Sequence, residues 1–131
     1  MPVLQIDLAS SVPAYEQIAS RLRALLVARK LVAGEQLPTV RELALDLGVH
    51  HNTVAEAYRQ LAAEGWLDLK RGRGAIVVER ARPAPTRSTR TRFTRDLEQL
   101  VAKGIAEGLA RARLATELEQ WAAQLRRGAR E

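Results

Sequence analysis

Residues 37–78, LPTVRELALDLGVHHNTVAEAYRQLAAEGWLDLKRGRGAIVV, decide how this chain folds. Thr39 stands three residues before Glu42. That is the spacing of a capping box, in which a hydroxyl and a carboxylate each satisfy a free backbone N–H at a helix start. Leu43, Ala44 and Leu47 give the helix one apolar stripe, and Gly48 ends it, because glycine takes positive φ without steric cost. A second helix starts near His50 or His51. Its apolar positions Val54, Ala57, Tyr58 and Leu61 follow the i, i+3, i+4, i+7 spacing of one buried face, and Gly65 closes it. Two short helices joined by a glycine-containing turn predict a helix-turn-helix, whose second helix lies in the DNA major groove. Residues 66–70 and 75–79, rich in Ile, Val, Leu and Trp, predict a hairpin that would be a wing. Its tip is Arg71, Gly72, Arg73 and Gly74. Two glycines in four residues let the backbone turn sharply and approach another surface, and Arg73 there can reach into a groove.

Upstream, residues 1–10 read as an extended lead-in. A first helix starts near Pro13, with Ser11 as a possible cap. Tyr15, Ile18, Leu22, Leu25 and Leu26 form its apolar face, which closes a three-helix core. Residues 31–36 read as a turn punctuated by Gly34 and Pro38. Downstream, residues 80–93, RARPAPTRSTRTRF, read as a linker: prolines, repeated Ser and Thr and like charges argue against a packed element. Leu97, Leu100, Val101 and Ile105 then make one helical stripe. Leu114, Leu118, Trp121 and Leu125 make another. Two helices of about four turns cannot bury two apolar faces alone, so they need the wing domain or a second subunit. The expected fold class is mainly α with a small β-hairpin. A winged helix-turn-helix DNA-binding domain spans residues 1–79, a basic linker 80–93, and a two-helix dimerisation region 94–131.

The net charge of +6 is unevenly placed. Residues 1–79 hold nine basic and nine acidic residues, and residues 96–131 hold six of each. The whole excess is Arg80, Arg82, Arg87, Arg90, Arg92 and Arg95, with no acid among residues 80–95. A basic excess attracts polyanions, nucleic acid first. These arginines read either as phosphate contacts beside the wing or as a soluble, self-repelling linker. With no cysteine there is no disulfide framework and no cysteine-based metal site. No basic start with a long apolar run marks a signal peptide, and no apolar stretch approaches the roughly 20 residues of a membrane span, so a soluble cytoplasmic protein is expected. Catalytic nucleophile motifs, a phosphate loop and a metal cluster are all missing, so neither an enzyme nor a cofactor is expected.

His50, His51, Asn52 and Thr53 form the first turn of the second helix, the part of a recognition helix that meets bases. Asn pairs bidentately with adenine, and Thr meets a thymine methyl or a phosphate. A His50–His51 metal pair is disfavoured, because adjacent helical residues do not converge on one point. Arg41 reads either as a contact to phosphate or a guanine edge, or as a solvated helix charge. Thr39 caps its helix, and the helix start it opens can hold a phosphate. Tyr58 and Trp121 lie on apolar stripes, and they read as core, with Trp66, rather than as base-stacking rings.

The stretch resembles the winged-helix domain of the GntR family of bacterial transcription regulators. The resemblance rests on Leu37-Pro38-Thr39 with Arg41, Leu43 and Ala44; Gly48-Val49 with Thr53-Val54; Ala57-Tyr58 with Leu61, Glu64 and Gly65; and Gly72-Arg73-Gly74. The upstream Pro13-Ala14-Tyr15-Glu16-Gln17-Ile18 and the short tail are similar to the YtrA-like subfamily. The resemblance implies that Arg41 touches DNA, that the tail dimerises with little room for an effector pocket, and that the operator is an inverted repeat with a GT…AC core. It also implies target operons that often encode membrane transporters. Where relatives often carry Arg or Lys, at the positions of His51 and of Ala55 or Glu56, this chain has a histidine and a neutral or acidic residue. Arg59, on the same face as Ala55, partly restores the lost positive charge. The function expected is a sequence-specific DNA-binding transcription regulator, a repressor, acting as a homodimer on double-stranded operator DNA. No effector is assigned. The alternative is a winged-helix protein-interaction adaptor that does not read DNA, favoured by Glu56 and the neutral charge of residues 1–79.

Overall fold

The computed structural model describes residues 1–70 and 74–129. Its order is α1 (Ala14–Val27), α2 (Val40–Leu47), α3 (His51–Ala63), β1 (Leu67–Lys70), β2 (Gly74–Val77), α4 (Arg87–Ala106) and α5 (Arg111–Ala129). The chain divides into two compact units, residues 1–81 and 82–131. The fold is mainly helical: a helix-turn-helix with its hairpin, followed by two C-terminal helices.

In the first unit Ile18, Leu22 and Leu26 of α1, Leu43 and Ala44 of α2, and Val54, Ala57, Tyr58 and Leu61 of α3 pack into one core. Leu67, Ala75 and Val77 close it from the hairpin. β1 and β2 are antiparallel, from Leu67 opposite Val77 to Lys70 opposite Gly74. Residues 34–37, the end of the expected turn of residues 31–36 together with Leu37, run along the other edge of β2. Leu37 N donates to Ala75 O at 2.8 Å, Val77 N to Glu35 O at 2.9 Å and Gly34 N to Val77 O at 2.7 Å. This third segment satisfies an edge that a two-stranded hairpin would leave open.

Gly48 ends α2 with φ +70, and Gly74 starts β2 with φ +75. A Cβ on Gly74 would lie 3.2 Å from Leu37 O, Pro38 O and the Thr39 Cα, so a side chain is barred both by conformation and by backbone pressed against it. The lead-in is pinned rather than simply extended. The Gln17 amide accepts from Asp7 N at 2.7 Å and donates to Asp7 O and Val12 O at 2.8 and 2.9 Å. Leu4 thereby joins the core. The α1 N-cap is Pro13, with no side-chain cap from Ser11.

The second unit corrects the expected linker of residues 80–93. Helix α4 begins at Arg87, inside that segment. Thr86 Oγ1 accepts from Thr89 N at 3.1 Å, capping the helix just past Pro83 and Pro85. Arginine is a good helix former, so once a cap is present its charge does not prevent a helix. Helices α4 and α5 are 20 and 19 residues long, over five turns each rather than four. They approach each other at Gly104, where an added Cβ would lie 3.2 Å from Leu109 and 3.8 Å from Leu114. Among the described residues no side chain of α4 or α5 is buried.

Candidate nucleic-acid interface

The start of α2 is fixed by chemistry close in sequence. The Thr39 hydroxyl accepts from Glu42 N at 3.2 Å, and the Glu42 carboxylate accepts from Thr39 N at 3.4 Å. Both halves of the expected capping box form. Arg41, in the first turn, is exposed and makes no side-chain hydrogen bond or ion pair among the described residues. A second anchor comes from α3: the Tyr58 phenol donates to Pro38 O at 2.7 Å. Burial, and then the Glu42 charge, push the Tyr58 phenol well above its ordinary value, so it stays a protonated donor. The tie fixes where the α2 N-terminus stands relative to α3.

Between these helices and the hairpin lies an open cleft lined by Thr39, Val40, Arg41, Ala55, Tyr58, Arg59, Leu69, Lys70 and Gly74. Four expected DNA-contacting residues, Thr39, Arg41, Arg59 and Gly74, therefore share one surface. His50, His51 and Asn52 are exposed, and Thr53 half-buried, at the start of α3. His50 is the N-cap: its Nδ1 accepts from Asn52 N at 3.0 Å. Its ring stacks on His51, with centroids 4.2 Å apart. The cap occupies Nδ1, leaving Nε2 as the ring nitrogen available to a ligand. Arg71, Gly72 and Arg73 lie outside the described residues.

Charges on this surface are largely spent internally. Arg59 donates to Glu56 at 2.7 Å, so the arginine expected to restore positive charge on this face is taken up by the neighbouring carboxylate. Lys70 pairs with Asp68 at 2.8 Å. Behind α3, Arg23 binds Glu64 through two bonds of 2.8 and 2.7 Å and holds its carboxyl below the usual carboxylate range. Among the described residues no group of three or more His, Cys, Asp or Glu side chains could hold a metal, and no helix is long and apolar enough to cross a membrane.

The family described as "Bacterial regulatory proteins, gntR family" matches residues 14–77. Over 126 residues, the chain is 32% identical to the HTH-type transcriptional repressor YtrA of Bacillus subtilis (strain 168), covering 96% of this chain and 97% of that one. The chain belongs to the GntR family. The solved structure of YtrA from Sulfolobus acidocaldarius, a GntR-family transcription factor, superposes with a TM-score of 0.57 at 30% identity, over 80% of this chain and 99% of that one. AraR(DBD) in complex with operator ORX1 superposes with a TM-score of 0.51 at 26% identity, over 60% of this chain and 96% of that one. The protein is a DNA-binding transcription regulator, in a family of regulators rather than enzymes.

In this GntR regulator three features of the cleft and its surroundings are not legible in the sequence. Tyr58 reads as core from its stripe, yet its phenol is the strut behind Pro38. Leu69 and Lys70 line the cleft because the antiparallel register brings Lys70 opposite Gly74. Arg80, expected among the linker arginines, belongs to the first unit. Its Nε donates to Glu64 O at 2.7 Å and its guanidinium lies 4.4 Å from the Trp66 ring centroid. A guanidinium over an indole face is attractive, and no local pattern marks which arginine finds one.

Proposed function

We propose that the protein is a homodimeric repressor acting in the cytoplasm on an inverted-repeat operator. Each subunit reads one half-site with the first turn of α3, while Arg41 and the hairpin grip the duplex alongside. The observation that carries the DNA-reading mode is the cleft in which the capped start of α2, the exposed face of α3 and the hairpin converge around Arg41, which is unpaired among the described residues. The similarity to a protein named as a repressor over almost the whole chain supports repression, and the superposition on an operator complex supports operator binding.

Homodimerisation rests on the second unit. An apolar groove there gathers Leu97, Leu100, Val101, Leu114, Leu118, Trp121 and Leu125, with Phe93 and Leu109 added. Ile105 lies in a neighbouring groove with Leu97, Val101 and Leu118. A second copy presenting the same face would cover it by a two-fold, self-complementary contact, and a two-fold dimer prefers a pseudo-palindromic site. Glu56, which favoured the adaptor alternative, is met by Arg59 and loses that force.

Selection of bound duplexes from random DNA, followed by footprinting and sedimentation, tests this reading. The expected result is a protected inverted repeat bound by a dimer, with Arg41→Ala weakening it by roughly 1–3 kcal/mol if the arginine contacts a base. A monomer on a single asymmetric site would overturn it.

A further inference from the structure

We propose that helix α4 carries a second DNA contact, a phosphate-binding face made by Arg87, Arg90 and Arg95. This deepens the DNA-binding reading and rests on it for the partner. Residues 1–79 are electrically neutral overall, whereas DNA affinity is built largely on neutralising phosphates and releasing their counterions. The chain's excess positive charge is confined to residues 80–95. Arg80 is committed to Trp66 and the Glu64 carbonyl, which leaves the arginines beyond it.

Arg87, Arg90 and Arg95 are exposed, and none forms an ion pair among the described residues. Arg87, Thr91 and Arg95 follow at i, i+4 and i+8, one ridge of a helix. Arg90, Thr91, Thr94, Arg95 and Glu98 line one shallow groove. The face therefore holds three cations against the single carboxylate at its far end. At 1.5 Å per residue, Arg87 to Arg95 extends about 12 Å, and duplex DNA offers a charge about every 1.7 Å along its axis.

A merely structural role fits poorly. The first turn of α4 holds no acid, and Arg87 and Arg90 sit at the positive end of the helix dipole, where cations weaken a helix. Nor is the stretch only a self-repelling linker, because Thr86 caps it into a helix that displays the side chains in register. Cations kept at the end of the helix that disfavours them, and forming no ion pair among the described residues, are explained by an outside polyanion, and this protein binds DNA.

The test is the triple variant Arg87→Gln/Arg90→Gln/Arg95→Gln in the full chain, beside Arg92→Gln. Arg92 is turned about 140° around the helix from Arg87 and, although three residues from Arg95, lies outside the groove that Arg90 and Arg95 line. Each is titrated over a range of salt against a duplex selected from random DNA and against a random-sequence duplex, with sedimentation alongside. We expect weaker binding to both duplexes, a slope of log affinity against log salt smaller by about 0.9 for each phosphate no longer neutralised, unchanged base preference and an intact dimer. Arg92→Gln should leave the slope unchanged. An unchanged slope in the triple variant overturns the proposal, as does a loss in Arg92→Gln as large per charge, which would mean diffuse attraction. Dissociation of the triple variant into monomers overturns it by assigning the arginines to the subunit interface. If the parent selects no sequence at all, the operator reading fails, and the random-duplex titration still decides the arginine face.

Discussion

In residues 1–81 the side chains of Ile18, Leu22, Val54, Ala57 and Leu61 are completely shielded, whereas in residues 82–131 those of Phe93, Leu100, Trp121 and Leu125 stand 63–67% exposed. Both units are built from amphipathic helices with apolar residues at helical spacing. The difference is closure. Three helices, a hairpin and the segment beside β2 surround a common interior, while α4 and α5 line an open apolar groove. Helical periodicity states which face is apolar and leaves open what covers it.

The largest effect expected from breaking this contrast is on the closed side. Leu61→Ala should cost the first unit about 3 kcal/mol, from lost transfer energy plus an unfilled cavity. A shifted denaturation midpoint with an unchanged slope would show it. The open side should answer differently. Trp121→Ala should leave that midpoint in place and weaken subunit association by about 2 kcal/mol, roughly 30-fold, as large aromatic anchors do at interfaces. Equilibrium sedimentation measures it. If Trp121→Ala instead lowered the stability of the first unit and left association alone, the contrast would be wrong.

A smaller effect is expected at the strut. Tyr58→Phe keeps the buried ring and removes the bond to Pro38 O. It should cost about 1 kcal/mol of stability and loosen the cleft, seen as weaker operator binding beyond what the stability loss explains. A variant as stable and as tightly bound as the parent would make the bond incidental.

The helix-turn-helix and its core are legible in the sequence because their signals are local. Thr39 and Glu42 are three residues apart, Gly48 must take positive φ, and the α3 stripe repeats within two turns. What the sequence hides depends on distant partners or on competition. Arg80 meets Trp66 and Glu64 only after the hairpin has turned the chain back. Residues 34–37 reach β2 across about forty positions. His50, read as a base contact, is also the cap of α3, because a histidine Nδ1 can do the work usually left to Ser or Asp. Helix α4 starts earlier than its arginine-rich sequence suggests, because the Thr86 cap and the helix propensity of arginine outweigh the repulsion between like charges.

The last and smallest effect concerns the fork between Arg23 and Glu64, which joins α1 to the end of α3. The hydrogen bonds and charge of Arg23 outweigh partial burial and lower the Glu64 pKa from its ordinary 4.5. With the folded value below the unfolded one, the unfolded chain binds the proton more readily. The contribution is therefore fully present above about pH 4.5 and is lost as pH falls through the lowered folded value. Both side chains are about one-third exposed, so screening keeps the pair near the weak end of its range. Glu64→Gln preserves shape and removes the charge. It should cost roughly 0.5 kcal/mol at pH 7, and the gap to the parent should close progressively on acidification below pH 4.5. The same variant should leave the salt dependence of DNA binding unchanged, since Glu64 lies behind α3 and away from the cleft. Urea denaturation of parent and variant at pH 7 and at steps below pH 4.5 gives the answer. A gap that persisted at the acid end would assign the loss to altered packing around Trp66 and Arg80 rather than to the charge.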